Sequence, residues 1–425
     1  MPTADSPAAL AQLPDEQLLE KVQRQCFRYF WEGADSSTGL AADRRDVHDK
    51  LSDVPVTMGG SGFGIMALIV AIERSWVKRD AALERLQRML DFLSTAANYH
   101  GVYSHFMNTR TGATVPLFPK DDGGDLVETS FLFMGLLCAR EYFQRRSKRE
   151  KALRERIDDL WQRVDWNWYT QQGREVLYWH WSPNFQWALD HPIRGWNECL
   201  ITYVLAAASP SHAIDPLVYE HGYVGGRFFR NGRSYYDIEL PLGVPYGGPL
   251  FFAHYSFCGL DPHGLKDRHA DYWQQNVNHV LINRAHCVAN PHRHKGYGES
   301  CWGLTASDDP TGYMAHAPDN DNGTISPTAA LASFPYSPVQ SMQALRHFLL
   351  TYSDKVWGRY GFVDAFCEQQ NWYAETFLAI DQGPIVIMIE NYRTGLLWKL
   401  FMNVPEVQTG LGRLGFTSPH LFPSA

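Results

Sequence analysis

Two kinds of helical segment alternate along this chain. Residues 62–73, 125–142, 197–208, 326–334 and the start of 383–401 are apolar all round. Between them lie residues 15–31, 79–97, 147–164, 267–289 and 339–352, which are apolar on one side only; in the first, Leu18, Leu19, Val22, Cys26, Tyr29 and Phe30 share that side. A helix apolar on every side must be enclosed, whereas a half-polar one keeps a wet face. Only the stretch 210–265 breaks the rhythm: it is rich in Gly, Pro and aromatics, with a helix expected near 249–257. About six alternations predict an all-α fold, an (α/α)6 toroid with a buried inner ring and an amphipathic outer ring. One domain would cover 15–425, after a loose tail at 1–14. Long loops at 35–61, 98–124, 166–196, 235–250, 290–325 and 358–382 precede the inner helices, at the spacing of a helix-hairpin repeat with elaborated loops. Each leads into the N-terminus of an inner helix, so the loops should gather on one face.

Several of these loops are aromatic with polar groups interspersed: Tyr103-Ser-His-Phe106, Tyr178-Trp-His-Trp181, Tyr297 to Trp302 and Tyr360 to Phe366. Aromatic residues make up 14% of the chain, with 14 Trp and 21 Tyr, more than a core alone requires. Gathered on one rim they would wall a cleft suited to the apolar faces of sugar rings, with Tyr246, Glu299, Trp302 and Trp372 as candidate contacts. For Trp302 and Trp372, core packing is an equal alternative. The net charge of -8 argues against a nucleic-acid partner, whose phosphates would be repelled. The longest apolar run, near 64–72, is too short for a membrane span. The first seven residues lack the basic and apolar regions of an export signal. As written the chain is cytoplasmic by default, or periplasmic where a leader has been removed. The seven Cys are scattered without a C-x-x-C pair, and Cys26, Cys138 and Cys199 fall in apolar helical patterns. Neither disulfides, a metal nor a cofactor is expected.

Two places put acids at the mouth of an apolar helix. In Lys120-Asp-Asp-Gly-Gly-Asp-Leu-Val-Glu-Thr129, Gly123 and Gly124 break the backbone, so the helix begins near Asp125. Asp125 and Glu128 fit a capping box, with Glu128 reaching back to the cap; Asp121 and Asp122 are not needed for one. The second place is Arg194-Gly-Trp-Asn-Glu198, where Asn197 caps and Glu198 stands in the first turn. In a two-ring fold Asp125 and Glu198 come from neighbouring inner helices and face one funnel. Two carboxylates across a cleft are the minimum equipment for glycoside hydrolysis: one protonates the leaving oxygen, the other activates water or attacks the anomeric carbon. Trp196 beside Glu198 would exclude water and hold its proton, so Glu198 is assigned as acid. The Asp121/Asp125 pair is assigned as base or water-positioning group.

Four blocks, 120–129, 194–198, 360–366 and 380–398 (Ile-Asp-Gln-Gly-Pro…Ile-Glu-Asn-Tyr-Arg-Thr-Gly-Leu-Leu-Trp), together resemble the bacterial glucoamylase-like family, which includes the endo-β-1,2-glucanases of glycoside hydrolase family 144. The resemblance spans about residues 20–400. It implies an (α/α)6 barrel and metal-independent, inverting hydrolysis of β-1,2-linked glucan, either endo or by release of sophorose from chain ends. By matching blocks it points to Asp121, Asp125, Glu128 and Glu198 as the acidic centre, and to Asp364, Asp381, Gln382, Glu390 and Asn391 as subsite contacts. The rivals are a sugar epimerase or polysaccharide lyase on the same toroid, and a non-catalytic glucan-binding protein. A terpene synthase is disfavoured because Gly123 and Gly124 interrupt its Asp-Asp-x-x-Asp helix. Three lesser signals read as ordinary structure: Gly59-Gly-Ser-Gly-Phe-Gly64 as a turn, Asp319-Asn-Asp-Asn-Gly323 as an Asx turn, and His286, His292 and His294 as residues of a wet loop.

Overall fold

The apolar segments are helices and they are enclosed. In a computed structural model describing residues 6–48 and 50–421, the helices in chain order are α1 (Pro7–Leu10), α2 (Asp15–Trp31), α3 (Met58–Glu73), α4 (Arg79–Thr95), α5 (Leu126–Tyr142), α6 (Lys148–Gln162), α7 (Leu200–Ala208), α8 (Tyr272–Ala289), α9 (Pro327–Leu331), α10 (Pro338–His347), α11 (Ala379–Thr394), α12 (Leu396–Met402) and α13 (Pro405–Arg413). Every residue of α7 is buried, as is the run Met58–Ala71 in α3 and Leu126–Ala139 in α5. Outer helices α2, α4 and α6 bury one stripe and expose the other. The strands are short and pair in small ladders within the loops.

The enclosed elements touch in sequence. α3 packs on α5, and α5 on α7. Ser256 Oγ accepts from the Ile201 N–H at the start of α7. His254 Nε2 lies 2.9 Å from Ser333 Oγ just after α9, Thr328 Oγ1 of α9 donates to the Asp381 carbonyl of α11, and α11 returns to α3. Residues 250–258 form two 3-10 turns, Leu250–Ala253 and Ser256–Cys258, rather than one regular helix. α8 starts at Tyr272 rather than near 267, because Asp271 caps it by accepting from Gln274 N.

The glycine-rich stretch 59–64 is not a turn; it lies inside α3. The reason is packing: a Cβ on Gly62 would sit 2.1 Å from the Phe131 carbonyl oxygen, and one on Gly135 2.2 Å from that of Gly62. Glycine lets the backbones of α3 and α5 approach where any side chain would separate them. The tail also differs from expectation over its described part. Pro7–Leu10 form a helical turn, Leu10 and Ala11 are buried, and the Arg346 guanidinium donates to the carbonyls of Ala11 and Leu13. Residues 1–5 lie outside the described residues.

Short ladders lace the loops to one another. Val56–Thr57 pairs with Phe106–Met107, joining the loops ahead of α3 and α5. Gly124–Asp125 pairs with His180–Trp181, joining those ahead of α5 and α7. Arg44–Asp46 pairs with Thr376–Leu378, joining those ahead of α3 and α11. The N-termini of these inner helices therefore open under one shared roof of loops. Among the described residues no helix is long and apolar enough to cross a membrane, and all seven cysteines are free and buried.

Candidate active site

A cavity of about 500 Å³ opens at that laced end. Its wall carries Glu128 and Glu198, with His105, Trp179, Tyr255 and Tyr313 around them. A groove of similar volume runs outside α2, but its one carboxylate, Glu32, is paired with Arg28 at 2.7 Å.

The first acidic group stands at the start of α5. Asp125 caps the helix: its Oδ1 accepts from Val127 N and Glu128 N at 3.0 and 2.9 Å. Its Oδ2 accepts from Trp179 Nε1 at 3.1 Å and lies 3.4 Å from His105 Nδ1. Capping and the contacts with the cavity-lining Trp179 and His105 thus use different oxygens of one carboxyl, which does not itself line the cavity. Glu128 does not reach back to the cap. Its Oε2 instead accepts from Gly59 N at 2.7 Å and Thr57 Oγ1 at 3.1 Å, at the N-terminus of α3. A neighbouring helix end offers unsatisfied N–H groups and a favourable dipole, and it wins over the local cap. His105 Nε2 lies 3.9 Å from Glu128 Oε1, so the imidazole bridges both acids. Burial lowers its pKa, but the charge of Glu128 and the hydrogen bond and charge of Asp125 outweigh this, to about 10. His105 is therefore a cation fixed between two carboxyls. Burial raises Glu128 above the usual carboxylate range, and His105 draws it part of the way back.

Glu198 is different. Its carbonyl accepts from Ser256 Oγ, but its carboxyl takes no hydrogen bond from another described residue. It is buried in the cavity wall. Burial first, and the negative charges of Asp125 and Glu128 after it, push its pKa up to about 7. A carboxyl that keeps its proton near neutrality and offers it to a cavity is equipped as a general acid.

A second acidic group lies beside the cavity without lining it. Asp364 and Asp381 are both buried and hydrogen-bond to each other, which a carboxyl pair does by holding a proton. Burial and then the charge of Asp364 hold Asp381 well above the usual range. Asp308 sits beside them: its N–H donates to Asp364 Oδ2 at 2.6 Å, and its carboxylate pairs with Arg44 at 3.3 Å. Arg44, Leu378, Ile380 and half-exposed Tyr313 bring this group to the cavity.

The remaining expected residues scatter. Asp121 lies behind the wall, its Oδ2 accepting from Leu117 N and its Oδ1 3.3 Å from His180 Nε2. Asp122 holds Ser182 and Asn184. Trp196 is buried and packs on Phe257 and Tyr272, and it does not line the cavity. Asn197 accepts from Cys199 N, but it is not the cap: α7 opens only at Leu200, with Cys199 in the cap position and no side-chain cap, so Asn197 and Glu198 lie in the turn before the helix rather than in its first turn. Gln382 donates to the Phe362 carbonyl. Glu390 and Asn391 stand at the far end of α11, away from the cleft. Glu390 is clamped by Arg74 through two hydrogen bonds of 2.9 and 3.0 Å, and Asn391 ties the Cys258 carbonyl to the start of α12. Trp302 is wholly buried. Tyr246, Glu299 and Trp372 do not line the cavity; Tyr246 packs on Tyr235, and Trp372 lies in a two-residue ladder with Cys367. His286 is not in a wet loop but buried between Asp321 and Tyr236. The 319–323 segment does make Asx turns, through Asp321 and Asn322.

His105, Trp179, Tyr255 and Tyr313 are the residues that sequence reasoning did not single out. His105 and Trp179 sit in the aromatic loop motifs, one position from a ladder strand, which is the only signal they carry. Among the described residues, no cluster of three or more His, Cys, Asp or Glu is arranged to hold a metal ion.

Comparison with known proteins bears on this site. The family model described as "Putative glucoamylase" matches residues 190–405, half of the chain and including Glu198 and Asp381. A crystal structure of a "putative glucoamylase" from Bacteroides uniformis is 54% identical, with a TM-score of 0.94, covering 97% of this chain and 100% of its own. The endo-β-1,2-glucanase from Chitinophaga pinensis, solved with sophorotriose and glucose, is 52% identical, TM-score 0.94, covering 96% of this chain and 100% of its own. An exo β-1,2-glucooligosaccharide sophorohydrolase (non-reducing end) from Parabacteroides distasonis is 45% identical over 423 residues, 95% of this chain. The chain spans 58% of that relative's length.

Proposed function

The chain belongs to the glucoamylase-like family, and from that membership and the chemistry of the cleft we propose that it is a glycoside hydrolase cleaving β-1,2-linked glucan. We read its helices as an (α/α)6 toroid, one catalytic unit from residue 15 onward, with the cleft at the mouth of the inner ring. The observation that carries the proposal is Glu198: a buried carboxyl, unpartnered among the other described residues, facing the cavity with its pKa raised to about 7.

Protonated Glu198 donates to the glycosidic oxygen as the C–O bond breaks, which avoids expelling an alkoxide. Water on the opposite face of the sugar gives up its proton to Asp125, with His105 and Trp179 fixing that carboxylate and Asp121 supporting the loop behind it. The outcome is inversion at the anomeric carbon. As charge develops on the sugar ring, the acids around it stabilise an oxocarbenium-like centre. Asp364 and Asp381 contact sugar hydroxyls along the other wall. A second reading, in which Asp381 is the base, is favoured by its buried oxygen that no donor reaches.

Linear β-1,2-, β-1,3-, β-1,4- and α-1,4-glucans, with products sized and their anomers followed by NMR, test this. Turnover confined to β-1,2-glucan with an α-anomer released is the expected result. Product length separates endo from sophorose-releasing action, and comparing Asp125→Asn with Asp381→Asn separates the two bases. Binding without turnover by the wild type would replace the hydrolase with a glucan-binding protein, and an unsaturated or epimerised product would replace it with a lyase or an epimerase.

A further inference from the structure

Away from the cleft, the loop following α6 builds a second concave place. Trp168 and Trp187 form an aromatic shelf, ring centroids 6.5 Å apart, and Asp165, Asn167, Gln172 and Gly173 complete a space of about 430 Å³. This lies within the range of small-ligand sites, and none of the six residues lines the cleft.

The shelf is fixed rather than floppy. His100 stacks on Trp168, centroids 3.8 Å apart with planes 18° from parallel, and Trp181 meets it edge-on at 6.0 Å. Asp165 Oδ1 holds the Trp168 N–H of the backbone. Yet Trp168 remains 37% exposed. The side-chain amides of Asn167 and Gln172 have no hydrogen-bond partner among the described residues. Gln171 and Gln172 both hold positive φ, 53° and 69°, an uncommon conformation for residues other than glycine. A rigid indole held open beside unused amides and a carboxylate is the combination that binds a neutral sugar. The ring covers the C–H face of a pyranose, while the amides and carboxylate take its hydroxyls. No cation is among the six lining residues, which disfavours a phosphorylated or acidic ligand.

The shelf is also tied to the cleft. Trp168 touches Trp181, Trp181 is paired with Gly124 beside Asp125, and Trp179, two residues earlier, donates to Asp125 from the cavity wall.

We propose that Trp168, Trp187, Asn167 and Gln172 form an accessory site that holds a β-1,2-glucan chain away from the point of cleavage. The identity of the sugar rests on the function proposed above. The test uses the full chain with Glu198→Gln, so that polymer is not consumed, in affinity electrophoresis through gels containing long linear β-1,2-glucan. Adding W168A, or N167A with Q172A, should raise the apparent Kd for polymer roughly fivefold or more, the loss of one aromatic contact or its polar partners. In the active enzyme, W168A should lower the ratio of kcat/KM for polymer to that for a trisaccharide by a similar factor. Retardation identical in all three proteins with an unchanged ratio, or no retardation of the Glu198→Gln protein, overturns the accessory site. If the wild type turns over no β-1,2-glucan yet W168A abolishes retardation, the hydrolase reading fails and the accessory site stands.

Discussion

The two ends of α11 carry buried acids that answer the same problem in opposite ways. Glu390 sits nine residues after Asp381, roughly 13 Å along the axis at ~1.5 Å per residue. It receives a two-pronged Arg74, the Thr394 hydroxyl at 2.8 Å and the Gln23 amide. Every lone pair is used and the charge is matched. Asp381 is equally buried, but its carboxyl neighbours are Asp364 and Asp308, and one of its oxygens meets no donor. Burial and these neighbouring acids hold its pKa well above the usual carboxylate range. Charge matched at burial fixes a fold; acid left unmatched at burial stays reactive. Glu198 follows the second pattern at the head of α7, and the cleft end of the molecule collects both such sites. On the proposed function, the comparison separates acids that hold the protein together from acids that work.

Four experiments would break or sharpen it. Glu198→Gln removes the donatable proton without changing shape; kcat/KM on β-1,2-glucan should fall by about 10³-fold while the urea midpoint stays put. A matching loss of stability would mean that Glu198 is structural. Glu390→Ala leaves the largely buried Arg74 with only its longer contact to Glu20, at 3.6 Å, and equilibrium unfolding should show a loss of about 3 kcal/mol, whereas Asp381→Asn should stay within about 1 kcal/mol of the parent. Reversed magnitudes would sink the distinction between the two ends of α11. His105→Gln deletes the cation between Asp125 and Glu128; kcat should drop about 10²-fold in an otherwise folded protein. Smallest is pH. The raised pKa means that the active, protonated Glu198 is lost as pH rises through about 7. The alkaline limb of kcat/KM should therefore bend there and approach tenfold per pH unit beyond it. A limb that persists unchanged in Glu198→Gln would assign the ionisation elsewhere.

Helix boundaries were legible because their causes are local. α2 runs from Asp15 to Trp31, where the apolar stripe starts and stops, and Asp125 caps α5 as its position before the apolar run requires. Local chemistry misled where a distant partner competed. Glu128 has the spacing of a capping-box acid, yet the N-terminus of α3, some seventy residues earlier, takes its oxygen. The glycines at 59–64 look like a turn until Gly62 meets Gly135. Glu390 shares a sequence block with Asp381, and only Arg74, more than three hundred residues away in sequence, reveals it as an anchor. His105 carries only its place in an aromatic loop motif before two acids close around it.

The sequence by itself determined most of the long helices, which of them are enclosed, and that acids stand at the mouths of two enclosed ones. These follow from periodicity and first-turn chemistry within a few residues of chain. The tertiary structure decided which acids are neutralised and which keep a proton. Solvation and through-space charge depend on groups brought together from remote parts of the chain, and no spacing along it encodes their distance.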